Sequence, residues 1–281
     1  MCYTAVICKL ENKEISDEFY QKTKKVILEN ILVKQYGNHE GSGAIAKNYG
    51  SKSFYKVRDM NYKRFLKRAK GQDLFNKDIF GIHFRNATEG TVNLRNIHFW
   101  QGKGFYFAHN GIVYQQDKDD KGRSDSLLFF NKILNKISNV KNYEGIASML
   151  GELIDKTGFS GRGFLLDNKK LILFGDLYSY LVNDCFVVFS SAELDFKEYQ
   201  GKSFGDLYLY RQTTKVDIIS GEIEGVSLWD FKDKVKKTIH KHSYKSYSNY
   251  KGLNSGQFWE DELALEEYND SELKKLGFMV D

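Results

Sequence analysis

The chain contains no proline among its 281 residues, where about 5% is usual. Every turn and helix start must therefore be built from Gly, Asn, Asp or Ser. Lys, Asn, Tyr, Phe and Ile are abundant, which reads as the bias of an AT-rich coding sequence rather than as mechanism. Cysteine is scarce as well. Three residues, Cys2, Cys8 and Cys185, are too few for a disulfide framework or, alone, for a tetrahedral zinc site. A reducing cytosol suits them. No run approaches eighteen uncharged apolar residues, so a transmembrane helix is not expected. Lys9 and Glu11 interrupt the start, so no secretory signal is expected either. These absences point to a cytoplasmic protein with no membrane partner.

What is present suits a globular protein. Hydrophobic residues make up 41% and aromatics 15%, which supports a full core and argues against a disordered chain. Net charge is +5, unevenly spread. Residues 230–252 hold seven Lys and two Asp, whereas 253–281 hold eight acids and two Lys. A basic block can bind nucleic acid, but it more simply reads as a solvated linker, and a nucleic-acid partner is not expected.

Apolar patterning divides the chain. Cys2–Leu10 has strand length. Ser16 starts a helical pattern through Phe19, Val26, Ile27, Ile31 and Leu32, with acids in its first turn. Residues 37–43 form a glycine-rich turn. Apolar segments at 79–85 and 104–114 are separated by polar loops. Residues 125–136 and 143–156 read as helices, the second ending before Gly158. Strands are expected at Gly163–Leu166, Lys170–Gly175, Cys185–Ser190 and Leu207–Arg211. Early strands, central helices and late strands imply α+β layers. One domain is expected over 2–215. An extension over 216–281 would carry the basic linker (230–252) and an acidic amphipathic helix (258–278).

Cys2 is the first chemical signal. Removal of Met1 would leave Cys2 with a free α-amine, whose reference pKa is about 7.7–8.0. That amine could take the thiol proton and return it to a leaving group, so that one residue supplies nucleophile and base. A second cluster follows. Residues 81–90 read Gly-Ile-His-Phe-Arg-Asn-Ala-Thr-Glu-Gly, and 93–98 give Asn-x-x-Asn-x-His. His109-Asn110-Gly111 ends an apolar strand, and Ser124-Asp125-Ser126 opens a helix.

Taken in order, these motifs resemble the class II glutamine amidotransferases, which are N-terminal-nucleophile hydrolases. The resemblance covers roughly residues 2–200. The short step from Asn110 to Asp125 is most similar to the compact stand-alone branch, which includes the γ-glutamyl amide hydrolase of ergothioneine synthesis. The resemblance implies a four-layer αββα sandwich with two stacked antiparallel sheets. It implies Cys2 as nucleophile, with Asn110 and the Gly111 backbone N–H as oxyanion donors. Arg85 would pair with the substrate α-carboxylate, Asp125 would hold its α-ammonium, and Thr88 would line the pocket. His83, Asn96, His98 and Ser124 would support the pocket loops.

Neither a metal nor a cofactor is expected, because His83, His98 and His109 lack further ligands at metal spacing. Glu89, Asn86 and Phe99 depart from the common family residues, which leaves the γ-substituent open. The implied activity is hydrolysis of glutamine, or of a γ-glutamyl amide, through a thioester, releasing glutamate and ammonia or an amine. An ammonia-accepting partner chain is a variant of that reading. The alternative is a catalytically silent member serving as a structural or partner-binding module.

Overall fold

The computed structural model describes residues 2–10, 15–114, 122–175, 177–183 and 185–194, and three later strands by their backbone alone. The strands are β1 (Tyr3–Lys9), β2 (Ser42–Lys47), β3 (Tyr55–Asp59), β4 (Ile79–Phe84), β5 (Trp100–Gly102), β6 (Phe105–Val113), β7 (Phe159–Leu166), β8 (Lys170–Phe174), β9 (Tyr178–Val182), β10 (Phe186–Ser190), β11 (Asp217–Ile218), β12 (Val226–Asp230) and β13 (Lys236–His240). The helices are α1 (Asp17–Leu32), α2 (Tyr62–Gly71), α3 (Asp125–Ile137) and α4 (Tyr143–Thr157).

Without proline, polar side chains start the helices. Ser16, Asn61, Ser124 and Asn142 each accept a hydrogen bond from the backbone N–H three residues on, which satisfies one orphan donor of the first turn. Gly158 ends α4 in the left-handed region at φ +59°, where a Cβ is disfavoured.

Two antiparallel sheets result, ordered β11-β9-β10-β1-β4-β2-β3 and β13-β12-β8-β7-β6-β5. Successive side chains on a strand face opposite ways, and this alternation sorts the core. Val6 and Cys8 of β1 pack with Tyr106 and Ala108 of β6, and with Phe164 and Leu166 of β7, in the layer between the sheets. The other face of β6 and β7 gives Phe107 and Leu165, which pack on Phe129, Phe130 and Ile133 of α3 and on Leu150 and Ile154 of α4. On the outside of the first sheet, Tyr20 of α1 meets Phe186 edge to face and Tyr62 of α2 meets Phe84. The arrangement is the expected αββα sandwich.

Three features differ from the sequence reading. β2, β3 and α2 occupy 42–71, where no element is assigned from the sequence; yet Tyr62 and the buried Phe65, Leu66 and Ala69 of α2 follow the i, i+3, i+4, i+7 spacing of an amphipathic helix among lysines and arginines, a signal that sequence reasoning missed. β9 adds a strand between β8 and β10. β11 pairs with β9, β12 with β8 and β13 with β12, so sheet pairing continues past residue 215. The strand expected at Leu207–Arg211 and the acidic helix at 258–278 lie outside the described residues.

Candidate active site

The same alternation that builds the inter-sheet core also builds the site. Cys2 precedes β1 on the face shared by Thr4, Val6 and Cys8. Arg85 follows β4 on the face of Ile79, Gly81 and His83. Asn110 lies on β6 two residues beyond Ala108. Each strand therefore carries its apolar face onward into a polar residue at one end of the same layer.

Cys2 is half-buried, and its thiol donates to the carbonyl of Asn86 (3.2 Å) while the Asn86 N–H approaches Sγ at 3.4 Å. Burial pushes the thiol pKa up; the Asn86 backbone bond and the charge of Arg85 push it back. The thiol therefore needs a base to ionise near neutral pH.

Arg85 is 2% exposed. Its Nη2 donates to the Glu89 carbonyl at 3.2 Å, while its buried Nη1 has no hydrogen-bond partner among the described residues. A buried donor left unpaired costs about 1–3 kcal/mol, so an anion here would relieve that cost. The backbone of Arg85 is clamped to the glycine-rich turn: its N–H donates to the Gly41 carbonyl (2.8 Å) and its carbonyl accepts from the Glu40 N–H (3.0 Å). The Glu40 carboxylate accepts from the Ala87 N–H. That contact ties the loop after β4 to the turn, and sequence reasoning missed it. Gly43 is required for close approach, since a Cβ there would lie 1.6 Å from the His98 carbonyl oxygen. Thr88 is exposed, unlike buried Arg85.

Asn110 is 7% exposed. Its Nδ2 donates to Ser191 Oγ at 3.1 Å, and its Oδ1 is buried without a partner among the described residues. Gly111 has φ +152°, and a Cβ there would lie 2.0 Å from the Ser160 carbonyl oxygen. Only glycine fits.

Asp125 opens α3. Its Oδ2 accepts from the Val113 N–H (2.7 Å), and its Oδ1 accepts from the Ser126 N–H (2.7 Å) and hydroxyl (3.2 Å). Burial pushes its pKa up, and the bonds from Val113 and Ser126 push it down. Ser124 caps the helix through the Leu127 N–H. Asn96 is a hub: its Oδ1 accepts from the Ser124 N–H (3.0 Å), and its Nδ2 donates to the carbonyls of Thr91 and Gly122 (both 2.8 Å). Asn96 and Ser124 thus hold the loops around Asp125.

The three histidines form a buried group behind these residues. The rings of His83 and His98 stack at 3.7 Å. His83 Nε2 donates to the His109 carbonyl, and His98 Nδ1 accepts from the His109 N–H. Those partners assign both rings the Nε2–H tautomer. His109 Nδ1 pairs with Ser126 Oγ at 3.0 Å. Burial lowers the pKa values of His83 and His109 to about 3, and that of His98 well below its usual value. All three are neutral at pH 7. Among the described residues no group of three His, Cys, Asp or Glu is placed to hold a metal. No helix among them is long and apolar enough to cross a membrane.

Residues 65–189 match the family model of the class-II glutamine amidotransferases. The match runs from α2 to β10 and includes Arg85, Asn110, Gly111 and Asp125; Cys2 lies outside it. The matched segment is thus similar to the class-II glutamine amidotransferases over less than half of the chain. Among solved structures, the allosteric regulatory enzyme of purine biosynthesis is similar at a TM-score of 0.51 and 13% identity, over 86% of this chain and 50% of that one. Glutamine phosphoribosylpyrophosphate amidotransferase from B. subtilis matches at 0.49 and 12% identity, over 86% and 50%. A glutamine aminotransferase class-II domain protein from Silicibacter pomeroyi matches at 0.44 and 11%, over 85% and 100%. At these identities the likeness is one of fold. The chain spans about half the length of the first two structures. No curated protein sequence matches it.

Proposed function

We propose that the protein is a cysteine-dependent amidohydrolase acting on glutamine or a γ-glutamyl amide. One observation carries the reading. A half-buried thiol, a buried arginine with an unpaired N–H and an asparagine on the opposing sheet share one end of the inter-sheet layer. In a chain processed to begin at Cys2, the α-amine takes the thiol proton, and Sγ attacks the γ-carbonyl. The oxyanion forms against the Asn110 carboxamide and the Gly111 N–H. The tetrahedral adduct expels the amine, protonated by the α-ammonium of Cys2, and leaves a γ-glutamyl thioester. Water hydrolyses that thioester to glutamate and regenerates the thiol.

Arg85 pairs with the α-carboxylate through the free edge of its guanidinium, and Asp125 uses remaining lone pairs for the α-ammonium. Thr88, on the exposed loop, borders the pocket. The compact stand-alone γ-glutamyl amide hydrolases are the branch this reading favours, in the cytoplasm, and no metal or cofactor takes part.

A second reading adds a partner chain that accepts the ammonia, motivated by the opposed charges of 230–252 and 253–281. Its test is truncation after residue 240, which keeps β11–β13 and removes most of the charged segment. Hydrolysis should persist while partner binding is lost. The reading of the site is tested by intact mass with 6-diazo-5-oxo-norleucine, a reactive glutamine mimic. Loss of Met1 and a single adduct on Cys2 is expected. A processed chain that takes no adduct and hydrolyses no γ-glutamyl amide would sink it.

A further inference from the structure

The hydroxyl of Ser191 joins three parts of the molecule. Its Oγ accepts from the Thr4 N–H at 2.9 Å and from Asn110 Nδ2 at 3.1 Å. The Ser191 N–H donates to the Thr4 carbonyl at 2.8 Å. Thr4 lies two residues from Cys2 on β1, Ser191 directly follows β10, and Asn110 belongs to β6 in the other sheet. All three are buried, at 0%, 4% and 7% exposed respectively. Among the described residues Ser191 is the single hydrogen-bond partner of the Asn110 carboxamide, whose Oδ1 has none.

We propose that Ser191 is a positioning residue, whose hydroxyl sets the Asn110 carboxamide against the Cys2 end of β1 across the two sheets. The inference rests on the reading of Cys2 and Asn110 given above. The hydroxyl acts by fixing a direction. A primary carboxamide carries two N–H groups in one plane. When Ser191 holds one of them, the direction of the other is set relative to the strand that carries the thiol. A donor aimed before the reaction costs no reorganisation as charge develops. Without the hydroxyl, the Asn110 carboxamide has no hydrogen-bond partner among the described residues, and packing alone sets its χ2. Ser191→Ala keeps the bond from the Ser191 N–H to the Thr4 carbonyl but removes the acceptor of the buried Thr4 N–H, at a loss of stability that Ser191→Thr avoids.

The test uses the full, processed chain with Ser191→Ala and Ser191→Thr. Glutamine hydrolysis is measured alongside the side-chain amide resonances of Asn110. For Ser191→Ala the expected result is a kcat roughly tenfold to a hundredfold lower, less than or equal to the loss typical of deleting an oxyanion donor. KM should stay within about twofold, because the contact acts on the transition state rather than on bound substrate. The Asn110 resonances should move and their hydrogens exchange faster. Ser191→Thr, which keeps the hydroxyl, should retain most of kcat and the wild-type resonances. Unmoved Asn110 resonances in Ser191→Ala, or equal losses of kcat and thermal stability in both variants, would overturn the inference. A wild-type chain inert toward glutamine and the diazo probe would remove the proposed function, yet the Asn110 resonances would still decide whether Ser191 positions that side chain.

Discussion

Cys2 and Cys8 lie six residues apart on one face of the first strand, and they meet opposite surroundings. Cys8 is fully buried between Ile79, Val187 and Phe189 within the inter-sheet core. Burial alone raises its thiol pKa, with no opposing contribution. Cys2 sits where the same layer opens, with the Asn86 backbone against its sulfur and Arg85 close enough to offset part of the burial. One thiol is a small hydrophobe; the other stands among groups that can stabilise a thiolate. The difference lies in what the neighbouring strands contribute at each end. β4 offers Ile79 to Cys8 and, six residues on, Arg85 to Cys2. β6 offers Tyr106 and Ala108 to the core, and Asn110 to the site.

The sharpest way to break this comparison is to exchange the two roles by mutation. Cys2→Ala should lower turnover by on the order of 10⁴-fold or more, as loss of a nucleophile does, with folding unchanged. Cys8→Ala should keep turnover and cost roughly 1 kcal/mol in urea unfolding from the small cavity. Residual turnover in Cys2→Ala comparable to wild type would end the comparison.

A smaller effect is expected at the facing sheet. Asn110→Ala should reduce kcat about 10²–10³-fold, read by steady-state hydrolysis. Gly111→Ala should instead cost stability, about 2–4 kcal/mol, because its Cβ would collide with the Ser160 carbonyl at a φ of +152°. Next comes Arg85→Gln. It should raise KM for glutamine roughly tenfold to a hundredfold, the worth of a charge-assisted hydrogen bond, with kcat less affected. A change confined to kcat would mean that Arg85 does not hold the α-carboxylate.

The smallest effect per step is on pH. His83 and His109 have folded pKa values near 3, against about 6.5 in an unfolded chain. Between those values the unfolded state binds more protons, so stability is full above about pH 6.5 and is lost as pH falls. Each should contribute about 1.4 kcal/mol per pH unit through that window. Urea midpoints at pH 7.5 and 5.5 measure the slope. His83→Gln should reduce it, and an unchanged slope would mean that His83 is not buried neutral.

Much of the candidate site was legible because its residues answer local demands. Gly111 sits at a backbone angle that excludes side chains, Ser124-Asp125 reads as a helix start, and Arg85 and Asn110 stand in short motifs of fixed spacing. The partners that hold them were not legible. Ser191 meets Thr4 across 187 residues of sequence, Glu40 meets Ala87 across 47, and Gly43 matters only because the His98 carbonyl lies against it. A serine, a glutamate and a glycine carry no periodic or motif signal for such contacts. Thr88 shows the converse: the motif includes it, while the structure leaves its side chain exposed.

The sequence by itself determined the starts of α1, α3 and α4, the strands β1, β4, β6, β8 and β10, and the residue types that the proposed chemistry requires. Capping, periodicity and glycine conformation act within a few residues, so they can be read in order along the chain. Only the tertiary structure decided that Cys2, Arg85 and Asn110 share one end of the layer between the sheets. It also decided that the three histidines are buried and neutral, with the His83 and His98 rings stacked, and that the sheets take in strands beyond residue 215. Those outcomes depend on which strands pair and which faces stack, and pairing is a long-range choice made by burial of the whole core rather than by any local segment.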